Sequence, residues 1–312
     1  MSNSKTFSLT FGDVAENHKG MQKIGTLSNN GFNLNDMNKM KIWFEAKGCK
    51  CSIINLHWLL EDEKIQQENP AYLLKVKNAV NALLDDENGK DALFKEQDYL
   101  EKDTKAFMYG RVVNKHARHN LCFGEAHQAP NYEEGMGTVY AFDEVPHLKQ
   151  IRYKLGEIIG EKGTNLQAEG NYYYDVKKCG IGFHGDTERK KVIAFRLGAK
   201  IPLCYAWYHD NNVVSDVMTI DDLEHGDMYV MSEKATGFDW KFYWVGKTDL
   251  TPQEVPAALD YDRWLGPAPY KPYHPHRVHQ TFRGYWDYDG GGLGDMGQHY
   301  IDPIQYFLGK DH

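Results

Sequence analysis

Apolar positions along the chain follow two periods, and these periods sort it into candidate helices and strands. After Pro70-Ala71, residues Leu73, Leu74, Val76, Val80, Leu83 and Leu84 recur at three-to-four-residue spacing, which predicts an amphipathic helix with proline in its first turn. Leu148, Ile151, Leu155, Ile158 and Ile159 predict a second helix, ended by Gly160. A period of two replaces this in Val192–Gly198, where Ile193, Phe195 and Leu197 alternate with Ala194 and Arg196, so that one strand face is apolar. Asp227 to Met231 reads the same way after the turn-like Glu-His-Gly. Residues 1–70 mix short apolar runs with Gly and Asn, as expected of strands and turns, and Leu56 to Leu60 fits either a buried strand or a helical turn. Helices followed by a block of short strands predict an α+β fold with helices packed on one side of a β core.

The pattern fails near Lys241. Seven of the 11 prolines (Pro252, Pro256, Pro267, Pro269, Pro272, Pro275 and Pro303) lie beyond it, together with Gly290-Gly291-Gly292. Such density without periodicity predicts an irregular, Pro/Gly-rich C-terminal segment. The expected division is a domain over residues 1–241 and a separate segment over 242–312.

Composition narrows the function classes. The 312 residues suffice for one large domain or two smaller ones, and no apolar run is long enough to cross a bilayer. The N-terminus lacks the basic start and apolar block of a secretory signal, which points to an intracellular (cytoplasmic or nuclear) protein with no membrane partner. Five scattered cysteines argue against disulfides, and Cys49-Lys-Cys51 is spaced too tightly for the usual structural zinc half-site. A net charge of −8 opposes long-range attraction to nucleic acid. One local basic strip, Lys105, Arg111, Lys115 and Arg118 with His116 and His119, reads either as a solvated face or as a phosphate-binding face.

The chemistry-bearing stretch is Cys179-Gly-Ile-Gly-Phe-His184-Gly-Asp186. On one strand, His184 and Asp186 would share a face and offer an imidazole and a carboxylate to a metal; in a turn, His-Gly-Asp is equally at home. Asn171-Tyr-Tyr173, then His184-Gly-Asp186, then the apolar Val192–Gly198 ending in glycine, then Gly226-Asp227 opening another strand occur in the order found in AlkB-like Fe(II)/2-oxoglutarate dioxygenases. The resemblance covers roughly residues 100–240. It implies a double-stranded β-helix (jelly-roll) core with flanking helices, His184 and Asp186 as catalytic metal ligands for Fe(II), and Asn171 and Tyr173 orienting 2-oxoglutarate. Dioxygen would be the co-substrate, and a nucleobase or protein side chain would be hydroxylated or demethylated.

The resemblance stops where a second ligating histidine is due, so the oxygenase pattern is expected to be cut before its last ligand. His209 sits in a polar hairpin sequence and His225 at a strand start, while His274, His276 and His279 lie in the Pro-rich segment. From Val255 to Asp302, including Asp295-Met-Gly-Gln-His299, the motifs instead resemble part of the substrate domain of Gfo/Idh/MocA oxidoreductases, a likeness covering about residues 243–309. That family cradles a nicotinamide dinucleotide on a Rossmann unit, and no Gly-x-Gly-x-x-Gly follows a strand in this chain. The competing expectations are a dioxygenase impaired by its missing histidine, an NAD(P)-dependent oxidoreductase fragment, and a non-catalytic binding module.

Overall fold

In the computed structural model, which describes residues 4–210, 212–239, 243–250 and 254–268 with isolated positions beyond, the two apolar periods resolve into two large β-sheets, two two-stranded ribbons and a helical layer. The N-terminal third supplies β1 (Thr6–Gly12), β2 (Val14–Glu16), β3 (Lys23–Gly25), α1 (Leu34–Ala46), β4 (Cys51–Asn55), α2 (Glu63–Glu68), β5 (Tyr72–Val76), α3 (Ala79–Leu84) and α4 (Gly89–Tyr99). Next come β6 (Lys105–Met108), β7 (Arg111–Asn114), β8 (His119–Gly124), β9 (Val139–Ala141), α5 (Pro146–Ile159), β10 (Gln167–Tyr173) and β11 (Gly180–His184). The series closes with β12 (Val192–Gly198), β13 (Leu203–His209), β14 (Asn212–Val213), β15 (Met218–Ile220), β16 (Met228–Met231), β17 (Trp244–Leu250) and α6 (Tyr261–Leu265).

Eight strands form the larger sheet in the order β4-β5-β16-β12-β1-β10-β8-β9, antiparallel except for the β8–β9 pair. The smaller sheet runs β11-β17-β13-β14, with β15 also on β13. Strand alternation explains how the larger sheet serves two layers. On β12, Ile193, Phe195 and Leu197 join Phe7, Leu9 and Phe11 of β1 in the core that includes α1 and α5 residues. Val192 and Ala194, on the opposite face, pack with Tyr205, Trp207 and Val245 of the smaller sheet. The face expected to be polar is therefore buried too, Arg196 included, because a second sheet covers it. Each fully buried large apolar side chain here contributes roughly 1.5–3 kcal/mol.

The predicted helix 148–160 is α5: Leu148, Ile151, Leu155 and Ile159 are its buried stripe and Gly160 ends it at φ +81°. The helix expected from Pro70 is a strand and a helix. Tyr72–Val76 pairs with both β4 and β16, and helix begins only at Ala79, after Asn78 adopts φ +56°. Leu73, Leu74 and Val76 mimic helical spacing because β5 is buried on both faces. Helix α1 lies in a stretch expected to be strands and turns; its buried Met37, Met40 and Phe44 are spaced by three and four, and Asn33 with Asp36 forms a reciprocal capping box.

By compactness the chain divides into residues 1–250 and 251–312, beyond the expected break at 241, because β17 belongs with the smaller sheet. In the second unit Tyr261, Leu265, Tyr273 and Val278 form a small apolar cluster.

Candidate functional site

Side chains from both sheets meet in one narrow space in residues 1–250. Period-two geometry on β10 points Glu169, Asn171 and Tyr173 to the same face, and Ser8 and Thr10 do the same on neighbouring β1. The smaller sheet contributes His184 from the end of β11 and Lys247 and Thr248 from β17. His184 and Lys247 are direct register partners across the β11–β17 ladder, which shifts register between Ile181 and His184. Asp186 follows β11, its backbone N–H donating to the Thr236 carbonyl at 2.8 Å. The enclosed space is about 50 Å³, room for a few water molecules at most.

His184 and Asp186 do come together, with Nε2 3.7 Å from Oδ1. The imidazole Nδ1 lies 2.8 Å from the Gly182 carbonyl, which can only accept, so Nδ1 carries the proton and the Nε2 lone pair faces the carboxylate. A cation is already present there. The Lys247 ammonium sits 3.0 Å from Asp186 Oδ1 and donates to the Thr236 carbonyl at 3.0 Å, in a side chain only 9% exposed. Burial, then the Lys247 charge, push the His184 pKa down to about 4, although the ring keeps 32% of its side-chain surface open. For Asp186, burial alone would raise the pKa; Lys247 first, then Arg189 and His184, outweigh it and hold the carboxyl below its usual range.

A second layer of charge fixes this centre. Arg189 Nη2 donates to Glu169 Oε2 at 2.6 Å and to Glu188 Oε1 at 2.7 Å, while Nε lies 3.9 Å from Asp186 Oδ2. Asn171 is held at its Oδ1 by Arg118 Nε (2.7 Å) and Asn120 Nδ2 (2.6 Å), and Tyr173 is buried beside Cys179 and Ile201. The sequence patterns single out neither Lys247, which lies beyond the expected end of the domain at 241, nor Arg189, in the polar stretch between Asp186 and Val192. The only signal for Lys247 was the alternation of Val245 and Lys247 with Gly246 and Thr248.

Two other candidate histidines, His225 and His209, are engaged elsewhere. His225 Nδ1 accepts from the Gly198 N–H at 3.1 Å and its Nε2 lies 3.3 Å from Asp91 Oδ1. His209 ends β13 at a turn and stacks on Tyr243. His274, His276, His279, Asp295 and His299 lie outside the described residues. Cys49 and Cys51 are free thiols whose pKa values burial raises, that of Cys51 to about 11.

A protein of Acanthamoeba polyphaga mimivirus, designated uncharacterized protein R156, is 48% identical to this chain over 237 residues, covering 76% of the chain and 91% of the viral protein. The chain belongs to the family of that viral protein. Residues 214–312 additionally match the Gfo/Idh/MocA family model described as "Oxidoreductase family, C-terminal alpha/beta domain". The C-terminal part therefore carries an oxidoreductase-family segment, and the resemblance drawn from residues 255–302 agrees with it.

These findings overturn the expectation of Fe(II) and 2-oxoglutarate. The family matched at 214–312 works with NAD(P), and among the described residues no three His, Cys, Asp or Glu side chains converge to hold a metal. His184 and Asp186 thus converge as two ligand-type groups, and among the described residues the group that completes the cluster is Lys247, which carries positive charge and no lone pair. The described residues show no Rossmann-type cradle for a dinucleotide. Among the described residues the only parallel strand pair, β8–β9, is joined by a loop with a single short turn (Tyr132–Glu134) and no α-helix whose N-terminus could face a pyrophosphate. No helix among the described residues is long and apolar enough to cross a membrane.

Proposed function

We propose that residues 1–250 are a metal-independent binding module of AlkB-like descent, with a jelly-roll core whose central His184–Asp186 pair is closed by Lys247. In this reading the module belongs to a chain whose C-terminal segment derives from the substrate domain of a Gfo/Idh/MocA oxidoreductase. The observation that carries it is the Lys247 ammonium 3.0 Å from Asp186 Oδ1. An ammonium supplies one positive charge where a metal would supply two, and it satisfies the carboxylate without opening a coordination position. The order of β10, β11, β12 and β16, carrying Asn171, His184, the glycine-ended strand and Met228–Met231, supports the descent.

The test is a Co²⁺ titration of the full chain followed by visible absorption. The reading expects no ligand-field bands at stoichiometric metal; saturable one-to-one bands that vanish in His184→Ala would overturn it.

A second reading, oxidoreductase activity with NAD(P), is favoured by the family match over residues 214–312. Energy transfer from tryptophan to bound NADPH tests it: saturable binding supports it, and a flat titration removes it.

A further inference from the structure

Beside the closed centre lies a second cavity, of about 160 Å³, bordered by His18, Asn114, Lys115, His116, Arg118 and Asn120. That volume is several times the share of a water molecule, roughly 30 Å³. No carboxylate lines it, although the protein as a whole is acidic at −8.

Two cations there are under-used. Lys115 is 9% exposed, and among the described residues its ammonium has a single hydrogen bond, to the neutral Asn17 Oδ1 at 2.7 Å. Two of its three donors are left over. Asp103, the nearest countercharge, is already engaged by Asn17 Nδ2, the Tyr132 hydroxyl, the Thr138 N–H and the Thr138 hydroxyl, all at 2.6–2.7 Å. Among the described residues Arg118 donates only through Nε, to Asn171 Oδ1, and makes no ion pair. His18 contributes Nε2, since its Nδ1 faces the Lys19 carbonyl at 3.2 Å. Burial and the Arg118 charge bring the Lys115 pKa down to about 8 despite Asp103, so the cavity holds positive charge at a cost that a bound anion would relieve.

We propose that this cavity is a binding site for a phosphate-type oxyanion, held by Lys115 and Arg118 with His18 beside them. The proposal rests on the reading of residues 1–250 as a binding module and gives that module a ligand class. A buried ammonium with open donors and a planar guanidinium with a free edge are the groups that bind phosphoryl oxygens, through charge-assisted hydrogen bonds. The basic strip that the sequence left undecided thus divides: Lys115 and Arg118 face the cavity, whereas Lys105 and Arg111 are exposed on the β6–β7 hairpin.

Calorimetric titration of the full chain with inorganic phosphate at pH 7 tests this, with AMP as the second probe. Expected is one saturable site whose affinity falls at least tenfold in Arg118→Gln and in Lys115→Met and stays within twofold in Lys105→Met, each variant first checked for wild-type circular dichroism. AMP competing for that site and binding more tightly identifies a phosphate ester; phosphate binding as tightly as AMP identifies the free ion. No saturable heat with either probe at millimolar concentration, or equal losses in Arg118→Gln and Lys105→Met, overturns the proposal. Its failure is separable from failure of the binding-module reading, which the Co²⁺ titration decides.

Discussion

Gly185 and Gly237 pass each other so closely that a Cβ built on Gly185 would lie 2.4 Å from the Gly237 carbonyl oxygen. Gly237 itself sits at φ +76°, where its own Cβ would meet the Val245 carbonyl at 2.4 Å and the Gly185 Cα at 2.7 Å. This backbone contact brings Asp186 under Thr236 and so sets the carboxylate beside Lys247. Gly185→Ala is expected to destabilise the protein by roughly 1–3 kcal/mol through overpacking against backbone that cannot yield. Gly182→Ala, with nothing within 4 Å of its Cβ, should stay within about 0.5 kcal/mol. Urea midpoints compare the two.

Removing one member of the Asp186–Lys247 pair leaves the other charge buried. Lys247→Met and Asp186→Asn are each expected to cost about 3 kcal/mol, and the double variant less than the sum by at least about 1 kcal/mol. A denaturation cycle on the four proteins measures the coupling; strict additivity would mean that the pair contributes no mutual stabilisation.

The low pKa of His184 makes stability depend on acid. The folded ring titrates near 4, below the ordinary 6.5, so between those values the unfolded chain binds the extra proton. Stability attributable to this residue is therefore full above pH 6.5 and declines as pH falls toward 4. The ring is nearly a third open to solvent, which reduces the effect to the order of 2 kcal/mol. His184→Gln should flatten the decline between pH 6.5 and 4, and the His184 Cε1 proton resonance should show no titration above pH 5.

Arg189 joins Glu169 and Glu188 through one planar group in a side chain 4% exposed, and among the described residues its Nη1 has no partner. Lysine has the charge without the fork. Arg189→Lys is therefore expected to lose roughly 2–3 kcal/mol, readable as a lowered urea midpoint with an unchanged slope.

The sequence disclosed what lay within single elements. Helix α5 was legible because one stripe of its surface is apolar and a glycine stops it; β12 and β16 were legible from alternation. Strand β5 was not, because burial on both faces erases the period of two and leaves a run that imitates a helix. Helix α1 carries its signal in a capping box and three apolar residues diluted by polar ones. The juxtaposition of His184 and Asp186 followed from their separation of two residues, whereas Lys247 reaches them only through a ladder between segments some sixty positions apart. The alternation around Lys247 marks a strand but not its partners, so the lysine beside His184 and Asp186 becomes visible only in three dimensions.

β17 is last in sequence among the strands of the smaller sheet, yet it lies between β11 and β13. During synthesis those two strands have no partner between them until residues 244–250 have left the ribosome. Until then their edges are open to other chains, and Asp186 waits without its ammonium. A premature stop shortly before Trp244 would thus yield a product with an intact helical layer, an unsealed flank and an uncompensated buried acid, which is the form most exposed to aggregation and proteolysis.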